Sequence, residues 1–179
     1  MAAESTLSRR ISEFAGVALF ALSLIWLIAL ASYSPSDPVW FFNTGADLPP
    51  AARAQAAADA YLMSIKRIDE TKLDSTVSVK LTQLGLGFDK GACIDHLRRL
   101  AAEAQAIKAT VEIDMEQSDY VLDTIDMYRL LHADFPDLRI AIQAYLRRTP
   151  VDLETLAALK PKVRLVKGAY AEPEDLAFQ

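Results

Sequence analysis

The sequence predicts an α/β fold in which about four βα units form part of a (β/α)8 barrel, after one N-terminal transmembrane helix. Three observations lead to this prediction. A long apolar run without charge lies near the N-terminus. Short β-branched segments then alternate with helical segments, a pattern typical of parallel βαβ units. Charged residues stand at the ends of the predicted strands, where a barrel binds its ligands.

The apolar run covers residues 14–36, FAGVALFALSLIWLIALASYSPS, and contains no charged residue. A helix of about 20 such residues spans the hydrocarbon layer of a bilayer, so we expect a transmembrane helix here. Arg9 and Arg10 precede the run, and this basic bias predicts a cytoplasmic N-terminus. A secretory signal peptide is the main alternative, because residues 29–31 offer a small-x-small cleavage site. Residues 1–50 are therefore predicted to form a membrane anchor.

Helices are predicted before and between the strands. An amphipathic helix covers about residues 51–70, where apolar side chains recur at helical spacing. Two further helices cover about residues 90–109 and 119–133 on the same argument. Another begins at Thr149, which we expect to cap it, with Pro150 in its first turn.

Strands are predicted from β-branched runs at Val77–Leu81, Val111–Met115, Ile140–Tyr145 and Val163–Val166. Right-handed βα units of this length build either an open doubly wound sheet or a barrel. No Gly-x-Gly-x-x-Gly sequence follows a strand, so the dinucleotide-binding form of the open sheet loses its main support. A complete barrel needs about 250 residues. With 179 residues in the chain, we expect a partial barrel over residues 51–179.

Composition argues against several classes of function. The net charge is −5 and no basic stripe interleaved with aromatic residues follows residue 50, so we expect no nucleic-acid binding. The single cysteine, Cys93, excludes an internal disulfide and a multi-cysteine zinc site. His96 and His132 lie among charges in predicted helices, so both are expected at the surface and no metal site is predicted.

Polar residues interrupt the apolar strands near their carboxyl ends, at Lys80, Asp114, Gln143, Arg164 and Lys167. In a βα barrel these ends form the rim where catalysis takes place. Because isolated buried charges are costly, Lys80 and Asp114 are expected to pair with each other or with a ligand. The alternative is structural: a stabilising Lys80–Asp114 ion pair, with Arg164 and Lys167 exposed to solvent.

The segment RRISEFAGVALFALSLIWLIALASYSPSDPVWFFNTGA resembles the first transmembrane helix and following loop of FtsK-type DNA translocases, most specifically in SYSPSDPVWF. This resemblance implies an anchor in the bacterial inner membrane at the division site. No phosphate-binding Gly-Lys-Ser/Thr loop occurs in the sequence, so DNA pumping by this chain is excluded.

Four later motifs, VSVKLTQLG, EIDME, IQAYLRRT and VRLVKGAY, resemble in order and spacing those of the proline dehydrogenase family. The resemblance runs from about Ala51 to Gln179. It implies a TIM-type barrel that oxidises L-proline to pyrroline-5-carboxylate with FAD as cofactor. Electrons would then pass to membrane quinone.

The resemblance also implies roles for individual residues. Lys80 matches the lysine that neutralises the proline carboxylate, Asp114 matches the acid that shapes the pocket beside it, and Tyr170 matches an aromatic wall. Three residues match flavin contacts: Gln143, Arg164 and Lys167. The family's first strand, later strands and final helix with paired arginines have no counterpart here, so we expect a truncated or fused fragment.

Two interpretations from other classes remain open. One is a membrane-anchored interaction protein that keeps the barrel motifs only as ancestry. The other is a non-catalytic membrane module of the cell-division translocase type. Flavin absorbance that proline bleaches would favour the dehydrogenase over both.

Overall fold

The computed structural model describes residues 14–17, 19–27 and 48–178. The chain divides into two compact units, Met1–Asn43 and Thr44–Gln179. In the first unit the described residues are helical and their side chains are exposed.

Among the residues that the structure describes, no helix is both long enough and apolar enough to cross a membrane. The transmembrane helix predicted over residues 14–36 falls partly outside these residues, because residues 18 and 28–36 are not among them. The membrane anchor therefore stays a prediction.

Helices and strands alternate through the second unit in the predicted order. The elements are α1 (Pro50–Thr71), β1 (Thr76–Val79), α2 (Lys90–Ala106), β2 (Thr110–Ile113), α3 (Val121–His132), β3 (Arg139–Gln143), α4 (Thr149–Ala157) and β4 (Lys162–Val166). A short 3-10 turn, Ser118–Tyr120, precedes α3. Each strand and helix predicted after residue 50 is present, with ends that differ from the prediction by a few residues.

The strands form one parallel sheet in the order β1-β2-β3-β4. Successive units of a βα barrel produce this sequential order, whereas a doubly wound sheet reverses its order part-way. The register pairs Ser78 with Glu112, Glu112 with Arg139, and Arg139 with Lys162. The predicted α/β class with a parallel sheet is confirmed.

Local sequence explains where several helices begin and end. The Asp89 carboxylate caps α2 by accepting a backbone hydrogen bond of 2.9 Å from the first turn. Pro50 stands in the first turn of α1, and Lys72 ends that helix with a φ of 54°. The prediction that Thr149 caps α4 is wrong. Its hydroxyl instead donates a 2.5 Å hydrogen bond to the carbonyl oxygen of Gln143, and so ties the end of β3 to the start of α4.

The core lies between the sheet and the helices. Residues alternate between the two faces of each strand, so one face of the sheet packs against the helices. On β1, Val77 and Val79 are buried whereas Thr76 and Ser78 are exposed. Fully buried side chains from the helices and the other strands complete this core, including Leu97, Leu100, Leu131, Leu156, Ile113, Ile140 and Ile142. The opposite face of the sheet, here called the polar face, carries Ser78, Lys80, Glu112, Asp114, Ala141 and Arg164.

His132 is buried, with 9% of its surface exposed, so the prediction of a surface position is wrong. Its Nε2 lies 2.9 Å from the carbonyl oxygen of Leu159. The imidazole also stacks on Tyr128, with ring centroids 5.0 Å apart. The side chain lies on the inward face of α3, where packing outweighs the polarity of the ring.

Candidate active site

Charged side chains of both signs meet on the polar face of the sheet: Lys80, Glu112, Asp114 and Arg164, here called the charge cluster. Lys80 Nζ lies 3.3 Å from Asp114 Oδ2. Arg164 Nη2 donates a 2.7 Å hydrogen bond to Asp114 Oδ1. Arg164 Nε lies 2.5 Å from Glu112 Oε1. Two cations thus face two carboxylates, and their formal charges cancel.

The register of the sheet explains why these residues meet. The last Cα pair of β1 and β2 places the next residues, Lys80 and Asp114, side by side. On β3 the residue paired with Arg164 is Ala141, whose small side chain leaves room for the arginine to reach β2. The predicted pairing of Lys80 with Asp114 is confirmed.

Asp114 is the centre of the charge cluster. Besides its two cations, it accepts a 2.6 Å hydrogen bond from the Ser78 hydroxyl. Burial disfavours the charged form of Lys80, but the Asp114 carboxylate outweighs this effect. With smaller contributions from Tyr170 and Glu116, it raises the pKa of the lysine above its ordinary value. Lys80 therefore stays charged at neutral pH.

Gln143 lies at the end of β3 and is 2% exposed. Its amide nitrogen donates to the carbonyl oxygens of Met115, at 3.2 Å, and Glu116, at 2.7 Å, which fixes the orientation of the amide. Its Oε1 has no hydrogen-bond partner among the residues that the structure describes. A buried acceptor without a donor costs about 1–3 kcal/mol. The site therefore suits a ligand that brings an N–H group to this oxygen.

Lys167 and Tyr170 lie on the loop after β4, and Tyr145 holds that loop in place. The backbone N–H of Tyr145 donates to the carbonyl oxygen of Lys167 at 3.0 Å. Its hydroxyl donates to the carbonyl oxygen of Tyr170, also at 3.0 Å. The Tyr145 ring packs against Gly168, which has a φ of 117°. Tyr170 is half-buried and close enough to raise the pKa of Lys80.

Known proteins of similar sequence show the family to which this chain belongs. The sequence profile of the family described as proline dehydrogenase matches residues 45–179. The chain belongs to the proline dehydrogenase family. A second profile, that of the 4TM region of the DNA translocases FtsK and SpoIIIE, matches residues 8–55.

Individual members of the proline dehydrogenase family are similar to about 70% of this chain. Proline dehydrogenase 1 of Bacillus subtilis (strain 168) is 38% identical over 125 residues, which are 70% of this chain and 41% of that protein. Proline dehydrogenase of Deinococcus radiodurans is 30% identical over 132 residues, or 71% of this chain and 43% of that protein. The chain thus spans about two fifths of the length of these curated relatives.

Solved structures of proline utilization A proteins share the fold. A point mutant of proline utilization A from Bradyrhizobium japonicum superposes with a TM-score of 0.62 and 28% identity, covering 68% of this chain and 15% of that chain. Proline utilization A from Bdellovibrio bacteriovorus, inactivated by N-propargylglycine, gives 0.59 and 26%, covering 68% of this chain and 16% of that chain.

The structure brings most of the residues predicted from the proline dehydrogenase motifs into one region. Lys80, Asp114 and Arg164 are in direct contact, and Tyr170 is near Lys80. Lys167 is exposed and makes no ion pair among the described residues 48–178. The structural alternative agrees with the Lys80–Asp114 pair and with the exposure of Arg164 and Lys167. It did not foresee that two carboxylates engage Arg164, whose side chain is 48% exposed.

Sequence reasoning missed Glu112, Glu116 and Tyr145. Glu112 stands two residues before Asp114, so strand alternation could have placed it on the same face. Glu116 is 5% exposed and accepts hydrogen bonds from the backbone N–H of Thr82, at 3.0 Å, and from its hydroxyl, at 2.6 Å. The contacts of Tyr145 depend on how the later loop folds back, and no local pattern signals them.

Proposed function

We propose that this chain carries part of the active site of a flavin-dependent proline dehydrogenase, which oxidises L-proline to pyrroline-5-carboxylate. The observation that carries the proposal is the charge cluster together with the buried Oε1 of Gln143, which has no hydrogen-bond donor among residues 48–178, in a chain of this family. The cluster supplies cations for a substrate carboxylate. The free acceptor suits an N–H of the cofactor ring.

Lys80 is suited to hold the carboxylate of proline. Its side chain is 43% exposed, so the ammonium group is accessible to a ligand, and its raised pKa keeps it charged. Asp114 contacts both Lys80 and Arg164 and thereby orients the two cations that border the pocket. Tyr170 is proposed as an aromatic wall of the same pocket, supported by its partial burial and its proximity to Lys80.

The residues present fit FAD as the cofactor. Gln143 offers a fixed, buried acceptor, while Arg164 and Lys167 supply positive charge that favours a reduced, anionic flavin. These three residues would hold the ring. Proline loses a hydride from the ring carbon next to its nitrogen and a proton from the nitrogen, and FAD supplies the hydride acceptor when it is bound.

The experiment is a titration of the purified full chain, loaded with FAD, by L-proline without oxygen. We expect proline to bleach the flavin absorbance, and a colourless or proline-inert preparation contradicts the proposal. Lys80→Met should raise the proline concentration needed for half-bleaching about tenfold or more, because a hydrogen bond to a charged group is lost. Lys90→Met is the matched control, since Lys90 pairs with Asp123 and its side chain is 64% exposed.

We further propose that residues 14–36 insert into a bacterial inner membrane and that membrane quinone accepts the electrons. The charge-free apolar sequence and the profile match over residues 8–55 support this proposal. Cell fractionation tests the anchor, because an inserted helix keeps the chain in the membrane pellet through an alkaline carbonate wash. Release of the chain by that wash would contradict insertion. Proline-dependent reduction of a soluble quinone analogue by the flavin-loaded chain tests the acceptor.

A further inference from the structure

We propose that Glu112 positions Arg164 by holding its guanidinium group across β3, with the small Ala141 between them. The proposal concerns the ligand-free protein. Its significance for catalysis rests on the proposed function, because Arg164 is one of the residues expected to contact the flavin. Glu112 is thus a positioning residue that acts through Arg164.

Glu112 is a buried carboxylate, with 8% of its side chain exposed. A buried charge requires a partner, because transfer out of water is costly unless opposite charge compensates it. Among the ion pairs of the described residues, the partner of Glu112 is Arg164, at 2.5 Å from Nε to Oε1. The burial of Glu112 and the position of Arg164 therefore depend on each other.

Arg164 reaches Glu112 from two strands away. β2 and β4 each pair with β3 and not with each other, so their backbones stand about 9.6 Å apart at a spacing of about 4.8 Å per strand. A long side chain can cross this gap when the residue between is small. Ala141 occupies that position, paired with Arg164 in the register. It is 2% exposed, and an arginine lying across it accounts for that burial.

Asp114 alone would leave the guanidinium group free to turn about one contact. Glu112 engages Nε while Asp114 engages Nη2, and the two acids lie on one strand, two residues apart. Two anchors at separate nitrogens define both the position and the plane of the group. Glu112 also brings the charge cluster to neutrality, whereas the other three residues together carry a net charge of +1.

Side-chain mobility of Arg164 tests the proposal. The measurement is the proton–nitrogen heteronuclear NOE of Arg164 Nε in the full chain, labelled with 15N-arginine, in detergent and without flavin or proline. The signal is assigned by its loss in R164K. We expect a high NOE in the unsubstituted chain and a fall to the values of exposed arginines in both E112A and A141L. D137N is the matched control. Asp137 is 66% exposed and pairs with Lys162, which lies on the same strand as Arg164, so the NOE of Arg164 Nε should not change in this variant.

An Arg164 signal that stays equally ordered in E112A would overturn the proposal, and so would a mobile Arg164 in the unsubstituted chain. If E112A loses its dispersed backbone spectrum, E112Q decides the same question with the side-chain volume kept. A reduced NOE in E112Q supports the role and an unchanged one overturns it. Because no flavin or proline is present, a failed turnover assay leaves this result unaffected, and the two proposals can fail separately.

Discussion

Gly168 stands where the loop after β4 passes the ring of Tyr145, and Gly168→Ala should destabilise the fold strongly. The φ of Gly168 is 117°, a backbone conformation that residues with a Cβ rarely adopt. A Cβ built there would lie 2.1 Å from Tyr145 Cδ1 and 2.2 Å from Cε1, well inside van der Waals contact. The substitution therefore adds backbone strain and a steric clash at once.

The two effects can be estimated separately. Backbone strain at such a φ costs about 1–3 kcal/mol. Overpacking costs about 1–3 kcal/mol in addition. The ring cannot move aside freely, because its hydroxyl would lose the 3.0 Å hydrogen bond to the carbonyl oxygen of Tyr170. We expect Gly168→Ala to lower the free energy of unfolding by about 2–6 kcal/mol in total.

Urea unfolding of the full chain, followed by far-ultraviolet circular dichroism, measures this loss. Gly87→Ala is the matched control, since its Cβ would meet the Tyr120 hydroxyl at 3.4 Å and its φ is not left-handed. We expect that variant within about 1 kcal/mol of the unsubstituted chain. Adding Tyr145→Ala to Gly168→Ala should relieve the clash and give a coupling of about 1 kcal/mol or more. Equal stability of the two glycine variants would refute the argument.

Three further predictions concern Lys80, Cys93 and Thr82. The folded-state pKa of Lys80 is raised, so the contribution of its charge to stability is present below the ordinary value of 10.5 and is lost as pH rises through the higher folded value. In urea unfolding above pH 10.5, Lys80→Met should therefore lose less stability with rising pH than the unsubstituted chain. Burial raises the pKa of Cys93 to about 12, so a thiol reagent at pH 8 should react slowly with the folded chain and should label Cys93 only after unfolding. Fast labelling of the folded chain would contradict the burial of Cys93. Thr82→Val removes the hydroxyl that donates to Glu116 and should cost about 1–3 kcal/mol in urea unfolding, whereas Thr82→Ser should restore most of the loss.

Much of the fold was predictable from the sequence, because the signals of secondary structure are local. The helical spacing of apolar residues placed α1, and the β-branched run at Val111–Met115 placed β2. The absence of a dinucleotide-binding glycine motif favoured a barrel over an open sheet, and the strand order agrees with that preference. The ends of elements were less predictable, since tertiary contacts such as the bond from Thr149 to Gln143 override a capping preference.

Part of the candidate site was also predictable. Charges at Lys80 and Asp114 contradict the apolar pattern of buried strands, and that contradiction identified them as a pair. Glu112 was missed because the register that joins it to Arg164 spans three strands. The burial of His132 was missed because charged neighbours in sequence do not show which way a helical residue faces.

The sequence by itself determined the order of helices and strands, the family and the identity of the unusual charges, since all of these are encoded in residue type and spacing along the chain. The tertiary structure decided that Arg164 crosses β3 to meet two carboxylates of β2 and that Oε1 of Gln143 is left without a donor among the described residues. It also decided that Tyr145 holds the loop carrying Lys167 and Tyr170. The physical reason is that these properties depend on distances between residues far apart in sequence, which strand register and packing set together.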